Sequence, residues 1–328
     1  MADLHLGAKN IKLPAEKQKI LMQEHIEGLA KVFSQPCDIA LICGDLFHSN
    51  FVSPKIKKSF WQEVKHFAKP VLYISGNHDE KVDFVDAPTN FYLLNETNNV
   101  FRTENIDFWC ASQTYQNFDA TKKNVLLLHG SISNKTDNDY LDLSKILTQK
   151  FDYIALGHEH NFWQGQIGHS VLAYSGALFA NGFDECGQKG YILVEDDFRP
   201  NFHPLQQRNF KILNFSITDI AEIGVLQSKF QDQLANEKQN IIRVVFSGYY
   251  QEGQEINFDK LKADYDGFYL EFIDKTKMKI DLEKYKNEPL SFKAEFIKLV
   301  EEASLSEEDK NKILRIGIEA LQGDDLSI

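Results

Sequence analysis

Five short segments of this chain carry side chains that bind divalent cations: Asp3 with His5, Asp45, Asn77 with His78 and Asp79, His129, and His158 with His160. Seven of them (Asp3, His5, Asp45, Asn77, His129, His158 and His160) suffice to hold two metals around one shared carboxylate. A pair of metals so held is suited to attack on a phosphate ester by water. The donors are carboxylate, amide and imidazole, a borderline-to-hard set that suits Mn²⁺, Fe²⁺ or Zn²⁺ better than Ca²⁺. No cysteine belongs to the set, which argues against a structural zinc site. One Asp-x-His or one His-Gly would mean nothing; five such segments in order, each at a strand end, carry the reading.

Strands must hold these groups in a common plane. Asp45 follows LICG, Asn77 follows YISG, His129 ends VLLL and His158 follows IALG. The glycines before three of them are expected to let the backbone turn sharply as it leaves the strand. Ile26, Leu29, Ala30 and Phe33 recur with helical period, which predicts a helix over about 14–35. Phe60, Val64 and Phe67 predict a second, ending near Pro70. Short apolar runs at 38–43, 71–75, 125–128 and 153–156 read as buried strands. Residues 162–174 and 190–195 read as antiparallel strands with glycine-containing turns. Strand–helix alternation followed by hairpins predicts a layered α/β sandwich with helices outside. After about residue 208 the pattern changes to a small α+β module, with strands near 211–216, 242–247 and 268–273 and helices at 220–236 and 258–265. Helical periodicity closes the chain over 291–322. Two domains are therefore expected, 1–208 and 209–328.

The chain has 328 residues, 43% of them hydrophobic and 26% charged, enough for a large core. No apolar run reaches the ~20 residues of a membrane span. The four cysteines form no CxxC pair, which suits reduced thiols in the cytoplasm. The net charge of −12 argues against tight, autonomous binding of nucleic acid. Two bound dications would add positive charge at the site itself.

DLHLG at 3–7, CGDLFHS at 43–49, SGNHD at 75–79, the His129-Gly130 pair and LGHEH at 156–160 appear in the order of the calcineurin-like metallophosphoesterase superfamily, which residues 2–208 resemble. The narrower resemblance is to its DNA-repair nucleases of the SbcD type, and YSGALFANGFDECGQKGYILVE at 174–195 is similar to their segment after the last ligand motif. The resemblance implies a four-layer α/β/β/α sandwich with an accessory α+β domain and a helical tail. It implies one metal on Asp3, His5 and His160, another on Asn77, His129 and His158, and Asp45 bridging the two at about 3.5–4 Å. His78 would then stabilise or protonate the leaving oxygen, with Asp79 either orienting it or forming a surface ion pair. His48 would handle DNA at the site, or else cap the loop into the next helix. Lys55, Lys57, Lys58 and Lys65 would offer phosphate contacts, or simply form a solvated helix face.

The expected function is a Mn²⁺-dependent DNA exonuclease, with endonuclease activity also open, acting in repair or recombination. It would work with an SbcC-type ATPase, docked through 291–322, and as a homodimer. A nucleotide phosphodiesterase or phosphoprotein phosphatase is the competing enzymatic reading, and a non-catalytic scaffold the third. Presence of both His78 and Asp45 argues against the scaffold. Relatives carry a hydrophobic strand before the first motif, whereas only Met1 and Ala2 precede Asp3 here. That difference is expected to reflect either a start assigned too far downstream or a chain that begins here, which would have an exposed sheet edge and a weak first metal site. His25, His66, His169 and His203 lack motif context and read as packing or surface residues.

Overall fold

A computed structural model describes residues 1–9, 12–112, 115–147, 149–205, 208–218, 223–250, 257–278, 282–286 and 291–322. In chain order the first compact unit contains α1 (Ala15–Phe33), β1 (Ala40–Cys43), α2 (Pro54–Phe67), β2 (Val71–Ile74), β3 (Phe91–Leu93), β4 (Val100–Arg102), β5 (Ile106–Cys110) and β6 (Lys123–His129). It continues with α3 (Leu143–Ile146), β7 (Tyr153–Gly157), β8 (Trp163–Ile167), β9 (Ser170–Tyr174), β10 (Gly190–Val194) and β11 (Pro200–Pro204). This unit spans Met1–Lys211 together with Gln239–Ile241.

Two sheets dominate it, one ordered β1-β2-β3 and the other β4-β5-β6-β7-β9-β8. Strand side chains alternate between faces, and the alternation builds three apolar layers. Ile42, Val71 and Tyr73 face α1 and α2, where they meet Leu29, Phe60 and Val64. Cys43, Leu72 and Ile74 point the other way, into a core shared with Val125, Leu127, Tyr153 and Ala155 of the second sheet. Leu126, Leu128, Ile154 and Leu156, from the same strands, face a third layer with Trp109, Phe151 and residues of α3. The near-continuous apolar runs of the sequence are thus strands buried on both faces. This is the expected four-layer α/β sandwich. Strands β3, β4, β5 and β11 go beyond the sequence expectation: β3 and β4 have three residues each, Asp107 interrupts the apolar run of β5, and β11 begins and ends in proline.

Residues 1–6 run alongside the end of β1. Cys43 N–H donates to Met1 O at 3.0 Å, Asp3 N–H to Gly44 O at 3.1 Å and His5 N–H to Asp45 O at 2.9 Å. On the other flank Ala2 bridges Ala177, whose carbonyl accepts from Gly190 at the start of β10. Ala2, Asp3, Leu4 and Leu6 are at most 1% exposed. The exposed edge expected at the first motif is therefore not found there: residues 2–6 are covered on both flanks.

The second unit comprises Ile212–Lys238 and Ile242–Ile328. It contains a sheet of β12 (Phe210–Ser216, entering from the first unit), β13 (Ile241–Tyr250) and β14 (Tyr269–Met278), with α4 (Ile223–Leu234) and α5 (Phe258–Ala263). Phe215, Phe230, Ile242, Phe246 and Leu270 form its core. Helices α6 (Leu282–Lys286), α7 (Phe292–Glu302) and α8 (Glu307–Gln322) pack through Tyr285, Ile297, Val300, Leu314 and Ile318. The expected helix at 220–236 begins at 223 among the described residues. No helix among the described residues is long and apolar enough to cross a membrane.

Candidate metal centre

The ends of β1, β2, β6 and β7, with residues 3–5, bring the expected donors to one place. The backbone turns sharply to do so: Asp3, His5, Asp45 and His158 all have positive φ, at 51°, 43°, 50° and 99°. Such values are rare outside glycine and mark conformations stabilised by their surroundings. Gly44, at φ 85°, makes the expected turn before Asp45. Gly76 and Gly157 serve differently, since neither has positive φ. A Cβ on Gly76 would lie 2.1 Å from Asp45 Oδ1, and one on Gly157 would lie 1.8 Å from Cys43 O. These two glycines permit close approach rather than turning.

Asp45 stands at the middle. Its Oδ2 lies 3.6 Å from His5 Nε2 and 3.6 Å from His129 Nε2, while Oδ1 accepts from His78 N–H at 3.0 Å. His5 Nε2 is also 3.2 Å from His160 Nε2. Asp3, His5 and His160 offer ligand atoms close enough for one ion, and so do Asp3, Asp45 and His129. His129 Nε2 is 3.1 Å from Asn77 Oδ1, and its Nδ1 lies 2.8 Å from Cys43 O. Donation from Nδ1–H to that carbonyl leaves the Nε2 lone pair, beside the oxygens of Asp45 and Asn77, for a cation. His158 anchors Asp3 by donating its backbone N–H to both carboxylate oxygens, at 3.0 and 3.1 Å. Its ring turns Nε2 to Asp137 Oδ2 at 3.2 Å, so Nδ1 is the nitrogen left for a metal.

Burial sets the protonation states. It pulls His5 down to about 4 and lowers His129, in both cases against the attraction of Asp45. Neutral imidazoles with free lone pairs result. Burial pushes the Asp3 carboxyl well above the usual carboxylate range, with His160 opposing. Burial is the largest influence on His160 and lowers it, but the hydrogen bond to Glu185 and the charges of Asp3 and Glu185 together turn the net shift upward. The His5 Nδ1 atom is buried and has no hydrogen-bond partner. Carboxyl groups crowded among imidazoles, with His5 and His129 favoured in the neutral form, make a donor set that fits divalent cations.

His78 and His48 are exposed and adjoin the same cluster, His78 lying 4.8 Å and His48 5.6 Å from the His5 ring, centroid to centroid. His78 Nδ1 is 2.9 Å from the His48 carbonyl. His48 does not cap α2, whose N-cap is Ser53. Asp79 is neither in a surface ion pair nor against the His78 ring. It is fully buried, accepting from Phe47 N–H and Gly76 N–H at 3.0 Å each, and so ties the GDLF loop to the GNHD loop. Lys57 is half-buried and donates to Asp83 O, whereas Lys55, Lys58 and Lys65 are exposed. His25 is buried against Phe179, His203 stacks on Tyr191, and His66 and His169 are exposed. Sequence reasoning missed Glu185, Asp137 and the Cys43 carbonyl. A backbone oxygen leaves no trace in residue type, and neither carboxylate has a telling distance from the histidine it meets.

The sequence model of the calcineurin-like phosphoesterase superfamily domain matches residues 1–196. The DNA double-strand break repair protein Mre11 of Archaeoglobus fulgidus is 25% identical over 307 residues, covering 74% of this chain and 66% of that protein. The protein of the same name from Methanocaldococcus jannaschii is 22% identical over 305 residues, covering 84% and 79%. The chain thus spans just under two thirds of the length of the first of these relatives.

Proposed function

Since the chain belongs to the calcineurin-like phosphoesterase superfamily, we propose that it is a metal-dependent DNA nuclease, hydrolysing phosphodiester bonds in double-strand break repair or recombination. The observation that carries the metal chemistry is Asp45 Oδ2, equidistant at 3.6 Å from His5 Nε2 and His129 Nε2. DNA as substrate rests on the similarity to the two repair proteins and on the GDLFHS and 174–195 segments.

In this reading Asp3, His5 and His160 hold one cation, Asn77, His129 and His158 the other, and Asp45 touches both. Manganese is the expected ion, and iron or zinc would suit the same donors. Divalent cations held by these residues would supply the Lewis-acid charge that hydrolysis of a phosphate ester needs. The chain's own residues do the rest. The backbone N–H of His78 holds one oxygen of Asp45, keeping the other toward the two histidines. With Nδ1–H donated to the His48 carbonyl, the His78 ring is fixed in place, and in its doubly protonated form it would give the Nε2 proton to the leaving oxygen and become neutral. Asp79 keeps the two loops bearing His48 and His78 at constant separation.

An SbcC-type ATPase would supply the DNA grip that a chain of net charge −12 lacks. Phe292 and Leu299, seven residues apart on α7, are 89% and 60% exposed and offer it an apolar stripe. A homodimer would set two such sites against two DNA ends. The test is Mn²⁺-dependent cleavage of end-labelled single- and double-stranded DNA, with bis-p-nitrophenyl phosphate and the His78→Ala variant alongside. DNA cleavage that vanishes in His78→Ala is expected. Hydrolysis of the small diester without DNA cleavage, even with the ATPase added, would overturn the nuclease reading in favour of a nucleotide phosphodiesterase. Full metal occupancy with no activity on either would favour a scaffold.

A further inference from the structure

Among the donors of the first metal position, His160 is held on its far side by a carboxylate. Its Nδ1 lies 2.6 Å from Glu185 Oε1, while its Nε2 faces His5 at 3.2 Å. The other oxygen of Glu185 accepts from Asn181 N–H, also at 2.6 Å. Lys189, 5% exposed, donates to the His160 carbonyl at 2.7 Å and to Asn161 Oδ1 at 3.2 Å. The Glu185 side chain is 11% exposed, and its two oxygens are satisfied by these two partners. A buried carboxylate with one oxygen on the imidazole and the other on backbone has little freedom to move.

We propose that Glu185 is a positioning residue for the metal centre: it keeps the proton of His160 on Nδ1, turns the Nε2 lone pair toward Asp3 and His5, and strengthens that nitrogen as a donor. Outer partners of this kind fix ring orientation and raise ligand basicity. The proposal rests on the dimetal reading above. It adds a residue 25 positions beyond the last ligand segment, on a different loop, that acts only through His160. Asp137, 3.2 Å from His158 Nε2, is its counterpart on the second position and serves as the internal comparison.

The test is calorimetric titration of metal-free protein with Mn²⁺ and Zn²⁺. Wild-type protein, Glu185→Gln, and Glu185→Gln combined with either His5→Ala or His129→Ala are compared, with nitrogen-detected NMR of the histidine rings at pH 8.5. Two binding events are expected for wild type. Glu185→Gln weakens one of them about 10–100-fold, leaves the other, and has no further effect once His5→Ala has removed the first position. In the His129→Ala background its effect persists. The His160 ring is expected as the Nδ1–H tautomer in wild-type protein and as a mixture in Glu185→Gln. Equal affinities in wild type and Glu185→Gln, or equal weakening of both events, would overturn the proposal. So would an Nε2–H tautomer in metal-free wild-type protein, a measurement that stands even if the variant fails to fold. Absence of metal binding by wild-type protein would overturn the dimetal reading itself.

Discussion

Gly157 and Cys43 are in contact through backbone alone: a Cβ on Gly157 would lie 1.8 Å from the Cys43 carbonyl oxygen and 2.9 Å from His129 Nδ1. The same oxygen is the partner of that Nδ1 at 2.8 Å. One point of contact between the ends of β1 and β7 therefore sets the angle at which His129 enters the site.

Gly157→Ala must push the two strand ends apart, and neither neighbour is a flexible side chain that can yield. Overpacking of this kind costs about 1–3 kcal/mol or more. We expect a lower urea midpoint for the metal-free protein and loss of metal affinity at the position served by His129. Wild-type stability and affinity in Gly157→Ala would mean that the strand ends separate freely.

His78 and His48 are expected to separate in their effects. His78→Ala should lower turnover about 10²–10⁴-fold, the usual contribution of a general acid, while metal affinity by calorimetry stays unchanged. His48→Ala retains the backbone carbonyl that fixes His78. It should spare hydrolysis of bis-p-nitrophenyl phosphate and reduce cleavage of DNA. Equal losses on both substrates would assign His48 to the chemistry instead.

Removal of metal should destabilise the first unit. Burial raises the Asp3 pKa, so ionising that carboxyl costs the metal-free fold more than it costs the unfolded chain. A bound cation offsets that charge. Mn²⁺ at a hundred times its dissociation constant should add about 2.7 kcal/mol per occupied position, roughly 4 °C in Tm for a chain of 328 residues. EDTA should reverse the gain, and a melting temperature indifferent to Mn²⁺ and EDTA would contradict the dimetal centre.

Acid should weaken the fold through His25. This ring is buried and stacks on Phe179, with centroids 4.3 Å apart and planes within 6°. Burial lowers its pKa to about 4. The unfolded chain, with a histidine near 6.5, takes up a proton first as pH falls. The contribution is whole above pH ~6.5 and is lost between there and pH ~4, to a total of about 3 kcal/mol. Denaturant midpoints across that range should flatten in His25→Gln. An unchanged slope would place the acid sensitivity on other groups.

The apolar stripe of α7 is open to a direct check. If α7 docks the proposed SbcC-type ATPase, Phe292→Asp with Leu299→Asp abolishes co-purification with it and leaves hydrolysis of the small diester as it was. Retained capture would move the docking surface elsewhere.

By itself the sequence determined which side chains could meet a metal, because imidazole and carboxylate at strand ends have a chemistry that residue type declares. It also determined the layers, because alternate residues such as Val125 and Leu126, or Leu127 and Leu128, are all apolar and so must be buried on both faces. Only the tertiary structure decided how those ligands are held. Glu185 reaches His160 across 25 residues, Asp79 turns away from His78 to join two loops, and the Cys43 carbonyl orients His129. Such contacts depend on where loops and backbone atoms arrive in space, and no period or spacing encodes that. The glycines carry the same lesson: Gly44 is required both for its φ and because a Cβ there would lie 2.1 Å from His129 Nδ1, whereas Gly76 and Gly157 are required only because other atoms already occupy the space of a Cβ.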